Sequence, residues 1–182
     1  MTAARVIPLL LALAGVACSG GSGGSFGGDG SQFTASFLPD QPAPPAQTVS
    51  AAEGSSDGQF VTVSIEVTGA QDVFAALFEV TVPAGVVYVD WDPGTLLESG
   101  GNQATYFVTQ PDAGRVRVDA ARLGGTGVDV SGSRTLVRLT FRAVQTGDFT
   151  LAFDEAELYD DGPPQPLPIG GLTWYGGTIL AE

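Results

Sequence analysis

Apolar and polar side chains alternate along most of this chain, and the alternation marks out strands. In FVTVSIEVT, Val61, Val63, Ile65 and Val67 share one parity, while Thr62, Ser64 and Glu66 share the other. A period of two with one apolar face is the pattern of a half-buried β-strand. The same reading predicts strands over 32–38, 48–52, 72–82, 86–91, 104–109, 115–120, 135–144, 149–153 (extended through Ala156 and Leu158) and 172–180. Within 115–120 it points Val116, Val118 and Ala120 inward and Arg115, Arg117 and Asp119 outward. Within 135–144 it points Val137, Leu139, Phe141 and Ala143 inward and Arg138, Thr140 and Arg142 outward. Trp91 shares the parity of Val89, and both are expected inside. The prolines of 39–45 interrupt pairing, Pro83-Ala84-Gly85 and Asp92-Pro93-Gly94 read as turns, and 123–132 and 160–168 read as loops. About nine short strands without a helical period predict an all-β, two-sheet sandwich.

The segment 72–82 breaks the alternation in an informative way. Phe74, Ala76, Phe78, Val80 and Val82 form an apolar parity, but the other parity begins with Val73, Ala75 and Leu77 before it turns polar at Glu79 and Thr81. An outer face carrying Ala75 and Leu77 is a candidate docking patch. The competing expectation is that a loop, 123–132 or 160–171, folds over it.

Composition narrows the chemistry. The 182 residues carry seven Arg against twenty Asp and Glu, with no Lys and no His, for a formal charge of −13. Such a surface repels phosphate backbones and excludes nucleic acid as an expected partner. Without His, Lys or an unmodified Cys, general-base and nucleophile roles would fall to carboxylates, Ser, Thr or Tyr, and no enzymatic activity and no cofactor are expected. A single cysteine, Cys18, allows neither an intramolecular disulfide nor a thiolate metal cluster. Residues 1–17 hold Arg5 and a short apolar run, which reads as a secretory signal peptide rather than a membrane span. Gly15-Val16-Ala17-Cys18-Ser19 resembles a lipobox, with Gly15 where an aliphatic residue is usual. The resemblance implies lipidation at Cys18, and Ser19 is compatible with outer-membrane sorting in Gram-negative lipoproteins. Ordinary signal cleavage, leaving a secreted chain with a free thiol, is the alternative. Residues 18–30, with SGGSGGSFGGDG, then form a flexible tether reaching roughly 20 Å. The layout is a lipid anchor, its only membrane contact, a tether, and one domain over 31–182.

Seven segments in order carry a family resemblance: VTVSIEVTG, FAALFEVTV, VVYVDWDPGTLL, RVRVDAARLGGTG, TLVRLTFRAV, LAFDEAELYDDG and WYGGTIL. Together they resemble the cohesins, modules that capture dockerins in cellulose-degrading complexes. The resemblance implies a nine-stranded jelly-roll sandwich and a partner bound on the sheet of the family's eighth, third, sixth and fifth strands. By matching motifs, the protein-binding positions fall on Ala75, Leu77 and Glu79 and on Arg115, Arg117 and Asp119, with Tyr106 beside them. First-type cohesins show Asn and Asp where this chain has Ala75 and Leu77. That departure points to a more apolar partner, dockerin-like or another envelope protein. The same architecture serves certain carbohydrate-binding modules, so a polysaccharide ligand is the alternative, and a self-associating structural lipoprotein is a third reading.

Other groups have plainer expectations. Arg138 and Arg142 are expected to form cross-strand ion pairs with Glu66, Asp90 or Asp92. The acid pairs Asp90/Asp92, Glu155/Glu157 and Asp160/Asp161 read as solvated faces rather than as an acid and base pair. Calcium at 160–162, with Asp57 as a further ligand, lacks EF-hand spacing, so no metal is expected. Tyr88, Tyr106, Tyr159, Trp91, Trp174 and Tyr175 are the candidates for stacking on sugar rings, with core packing the plainer role for both Trp.

Overall fold

Alternating Val, Ile and Phe positions close into two facing layers with the apolar parities between them. The computed structural model describes residues 33–162 and 164–182. The signal, lipidation and tether assignments lie outside the described residues. The strands are β1 (Ala35–Pro39), β2 (Thr48–Asp57), β3 (Phe60–Thr68), β4 (Ala75–Thr81), β5 (Val86–Pro93), β6 (Ala104–Asp112), β7 (Arg115–Arg122), β8 (Ser133–Ala143), β9 (Gly147–Leu151), β10 (Phe153–Tyr159), β11 (Thr173–Tyr175) and β12 (Gly177–Ala181). One sheet has the order β10-β4-β7-β6 and the other β11-β2-β3-β8-β5, while β1-β12-β9 forms a three-stranded ribbon. Ala35 N donates to Gly58 O, which ties the ribbon to the β2–β3 turn.

The all-β sandwich is as expected, but the described residues form more than nine strands. The extra count comes from breaks inside expected strands. At Gly176 the chain passes so close to Leu151 O that a Cβ would lie 2.1 Å from it. There the final segment leaves β2 and joins β1 and β9. Strand 48–52 runs on to Asp57 because its polar second half still pairs with β3 through a bulge.

Inward parities were read correctly for β3, β7 and β8: Val61, Val63, Val67, Val116, Val118, Leu139 and Phe141 are fully buried. On β5 the expectation holds for Trp91, which packs against the core, and fails for Val89. A register shift between Tyr88 and Asp90 leaves Val89 exposed and turns Tyr88 onto Phe141, with ring centroids 6.1 Å apart. A bulge changes which parity faces the core, and its position is not visible in an alternating pattern. Burial, and after it the nearby Asp90, pushes the Tyr88 hydroxyl up to about 12.

Two features hold the segment after β5 in place. Leu96 and Leu97 are fully buried. Arg122, only 6% exposed, donates from Nη1 to Leu97 O at 2.9 Å and to Ser99 O at 3.3 Å. Its guanidinium makes no ion pair among the described residues and serves carbonyls instead.

Candidate functional site

The outer face of the four-stranded sheet is laid out in rows by strand register. Glu157, Leu77, Asp119 and Phe107 form one row across β10, β4, β7 and β6. Tyr159, Ala75, Ala121 and Thr105 form the next on one side; Asp154, Glu79, Arg117 and Thr109 form the next on the other. Thr81 and Arg115 follow, with Asp112 across the β6–β7 hairpin. Six of the sequence-derived positions, Ala75, Leu77, Glu79, Arg115, Arg117 and Asp119, therefore share one face.

The face has an apolar end and a charged end. Ala75, Leu77, Ala121, Phe107 and Tyr159 line an open groove of about 340 Å³, together with Thr105 and Asp119. None of the described residues of 123–132 or 160–171 lines it. The segment after β10 instead pairs alongside it: Asp160 N donates to Leu167 O and Ile169 N to Leu158 O. That segment covers the edge of the sheet and leaves the groove open.

At the charged end the arginines are already engaged. Arg115 reaches Glu79 at 3.1 Å and Asp112 at 3.1 Å; Arg117 reaches Asp119 at 3.0 Å and Glu79 at 3.9 Å. The Asp112 carboxylate, and then Glu79, raise the basicity of Arg115. Asp119 does the same for Arg117. Glu79 points outward, as expected, yet is only 5% exposed, because both guanidiniums lie over it. A carboxylate covered in this way requires its cationic partners, so this end of the sheet is stiffened by ion pairs.

Tyr106 is a correction: it does not belong to this face. It lies opposite Ala120, on the inward parity, and packs on Trp91 with ring centroids 5.6 Å apart. Its hydroxyl donates to Gly94 O at 3.4 Å, and burial pushes its pKa up to about 12. The residue presented outward is its neighbour Phe107, 65% exposed. The signal for Phe107 was in the alternation itself: Ala104, Tyr106 and Val108 share a parity, and Phe107 stands between Thr105 and Thr109 on the other. Glu157 and Tyr159 were also missed as members of this face. Tyr159 donates its hydroxyl to Glu157, and that bond, ahead of burial, raises the Tyr159 pKa.

Arg138 stands opposite Asp92, but its Nη1 donates to Pro93 O at 3.3 Å. Among the described residues, neither Arg138 nor Arg142 forms an ion pair with Glu66, Asp90 or Asp92. Asp90 instead accepts from Trp91 N at 2.8 Å. The residue Glu155, at φ 44, interrupts the β10 register between Asp154 and Glu157, so the Glu155/Glu157 spacing does not place both on consecutive outward positions. Asp160 Oδ1 accepts from Gly162 N and Leu167 N, and Asp161 Oδ2 from Gly127 N. Among the described residues no three metal-ligating side chains converge. Trp174 packs on Phe78 and Phe153, and Trp91 on Tyr106, so neither indole belongs to an outward aromatic row.

Asp161 also faces Asp72, which has φ 57 and whose N–H donates to Asp129 at 3.0 Å. Partial burial, and then the Asp161 carboxyl, raise the Asp72 pKa above its ordinary 3.8. A raised folded-state value means that protonation favours folding. This stability is complete below about pH 4 and is lost as pH rises through the raised value. Asp72→Asn, which keeps the protonated form's hydrogen bonding and tolerates the left-handed backbone, is therefore expected to melt above wild type near pH 7 and level with it near pH 3. The site is largely solvated, so the gain is under about 1 kcal/mol. Equal melting temperatures near pH 7 would contradict this account of the pair.

Comparison with protein-family models and with curated protein sequences matches nothing. Solved structures do match. A non-cellulosomal cohesin from Archaeoglobus fulgidus has a TM-score of 0.50 at 18% identity, over 79% of this chain and 88% of its own. The seventh ScaB type I cohesin from Pseudobacteroides cellulosolvens has a TM-score of 0.56 at 15% identity, over 72% and 88%. A type II cohesin solved in a cohesin–X-dockerin complex from Acetivibrio cellulolyticus has a TM-score of 0.53 at 9% identity, over 79% and 95%. At these identities the likeness concerns architecture. This chain has the β-sandwich fold of the cohesin modules.

Proposed function

We propose that this chain is a non-catalytic docking module that captures a partner protein on the outer face of its four-stranded sheet. The observation that carries the reading is the open apolar groove around Leu77 and Phe107, set in a sheet whose neighbouring end is stiffened by ion pairs. An apolar centre with a polar rim on a rigid element is what protein association uses. Support also comes from the fold, shared with a module solved in complex with an X-dockerin. Secretion across the inner membrane and lipidation at Cys18, with the tether after it, would hold the module at the outer membrane or cell surface. The carbohydrate-binding alternative loses four of its six candidate aromatics, because Trp91, Trp174, Tyr88 and Tyr106 pack against the core.

The test is recovery of partners from envelope and secreted extracts on immobilised protein, with a polysaccharide pull-down run in parallel. The expected result is a protein captured by wild type and lost with Leu77→Arg. Retention on polysaccharide that ignores Leu77 would overturn the docking reading.

A further inference from the structure

The charge on this face is unbalanced, and the imbalance is localised. Its outer register positions carry five carboxylates, Glu79, Asp112, Asp119, Asp154 and Glu157, against two guanidiniums, Arg115 and Arg117. Both guanidiniums are spent on Glu79, Asp112 and Asp119. The two remaining carboxylates, Asp154 and Glu157, both lie on β10, along one rim of the groove. Among the described residues Asp154 accepts only from Glu155 N, at 2.9 Å, and Glu157 only from the Tyr159 hydroxyl. Glu157 stands directly opposite Leu77 in the register.

Resting on the docking reading above, we infer that the partner segment is cationic as well as apolar: an apolar side chain seated over Leu77 and Phe107, with a Lys or Arg beside it that meets Glu157. Adjacent strands are about 5 Å apart, so the two partner groups must be neighbours at that spacing. The physical reason is desolvation. A neutral partner covering the β10 rim would strip water from carboxylates that have no cation, at a cost its apolar contacts must overcome. An acidic partner would add repulsion from the rim and from a chain of net charge −13. A cation opposite Glu157 turns that cost into a charge-assisted hydrogen bond.

The experiment selects binders from a displayed peptide library of balanced charge, using the full chain as bait. Affinities of the enriched peptides are then measured at low and high salt for wild type, Leu77→Arg, Glu157→Gln and Asp154→Asn. Thermal melts confirm that each variant is folded. The expected binders are rich in apolar residues and in Lys or Arg and are lost with Leu77→Arg. They weaken about tenfold with Glu157→Gln, which also flattens their salt dependence. Binders that need Leu77 but are neutral or acidic, with affinities indifferent to salt and to Glu157, overturn the charge inference and leave the docking face standing. Binders indifferent to Leu77→Arg, or no enrichment above bare support, overturn both.

Discussion

Leu77→Arg is expected to abolish partner capture, lowering affinity at least about 100-fold, while leaving the melting temperature close to that of wild type. The two halves of this expectation have different causes. Leu77 is the central apolar member of the groove, and a truncated or charged hot spot in a desolvated centre costs about 2–4 kcal/mol or more. The folded chain barely notices, because the side chain lies on the outer face of β4 while the core face belongs to Ala76, Phe78 and Val80. A guanidinium at this position would stand between Glu157 and Asp119, both opposite it in the register. It would be solvated and paired, so a stability change within about 1 kcal/mol is expected. Calorimetry on the captured partner, alongside thermal melts, separates the two. Full affinity in a folded variant would mean that the groove is not the interface.

Gly94→Ala is expected to have the largest effect on stability, about 3 kcal/mol or more, with a fall in melting temperature of roughly 10 °C. A Cβ at Gly94 would lie 2.1 Å from Thr135 O and 2.5 Å from the Leu136 carbonyl carbon, both backbone atoms that cannot rotate away. Relief requires pulling the turn off β8, which breaks the bond from Gly94 N to Leu136 O and that from Leu96 N to Thr135 O, each 3.0 Å. The displaced segment carries Leu96 and Leu97, both fully buried, and the carbonyls that receive Arg122. Gly170→Ala is the matched control. No atom lies within 4 Å of its Cβ position and its φ is not positive, so little change is expected. If Gly94→Ala melts like that control, the close approach of this turn to β8 is not a determinant of the fold.

The sequence was informative where a single parity carries all the apolar residues. On β3, β7 and β8 the alternation located both the buried set and the outward set, and it placed Leu77, Arg115, Arg117 and Asp119 on what proves to be one face. On β6 the same rule would have turned Tyr106 inward and Phe107 outward. The two adjacent aromatics obscured it, because an outward Phe breaks the apolar-in, polar-out expectation. Glu155 and Val89 show a different limit. Each sits at a register shift, and a shift is set by how a strand meets its partner, not by the strand's own composition.

Period-two alternation and turn residues thus determined most strands, the inward faces of β3, β7 and β8 and the sandwich class, because these depend on side-chain polarity along one segment. Only the tertiary structure decided the rest: that β10 sits beside β4, that Glu157 faces Leu77, and that both outer-face arginines are consumed by carboxylates. Pairing between strands far apart in the chain selects which charges meet. The outward Ala75 and Leu77 were written in one strand; the anionic rim beside them exists only because another strand, nearly eighty residues away, lies next to it.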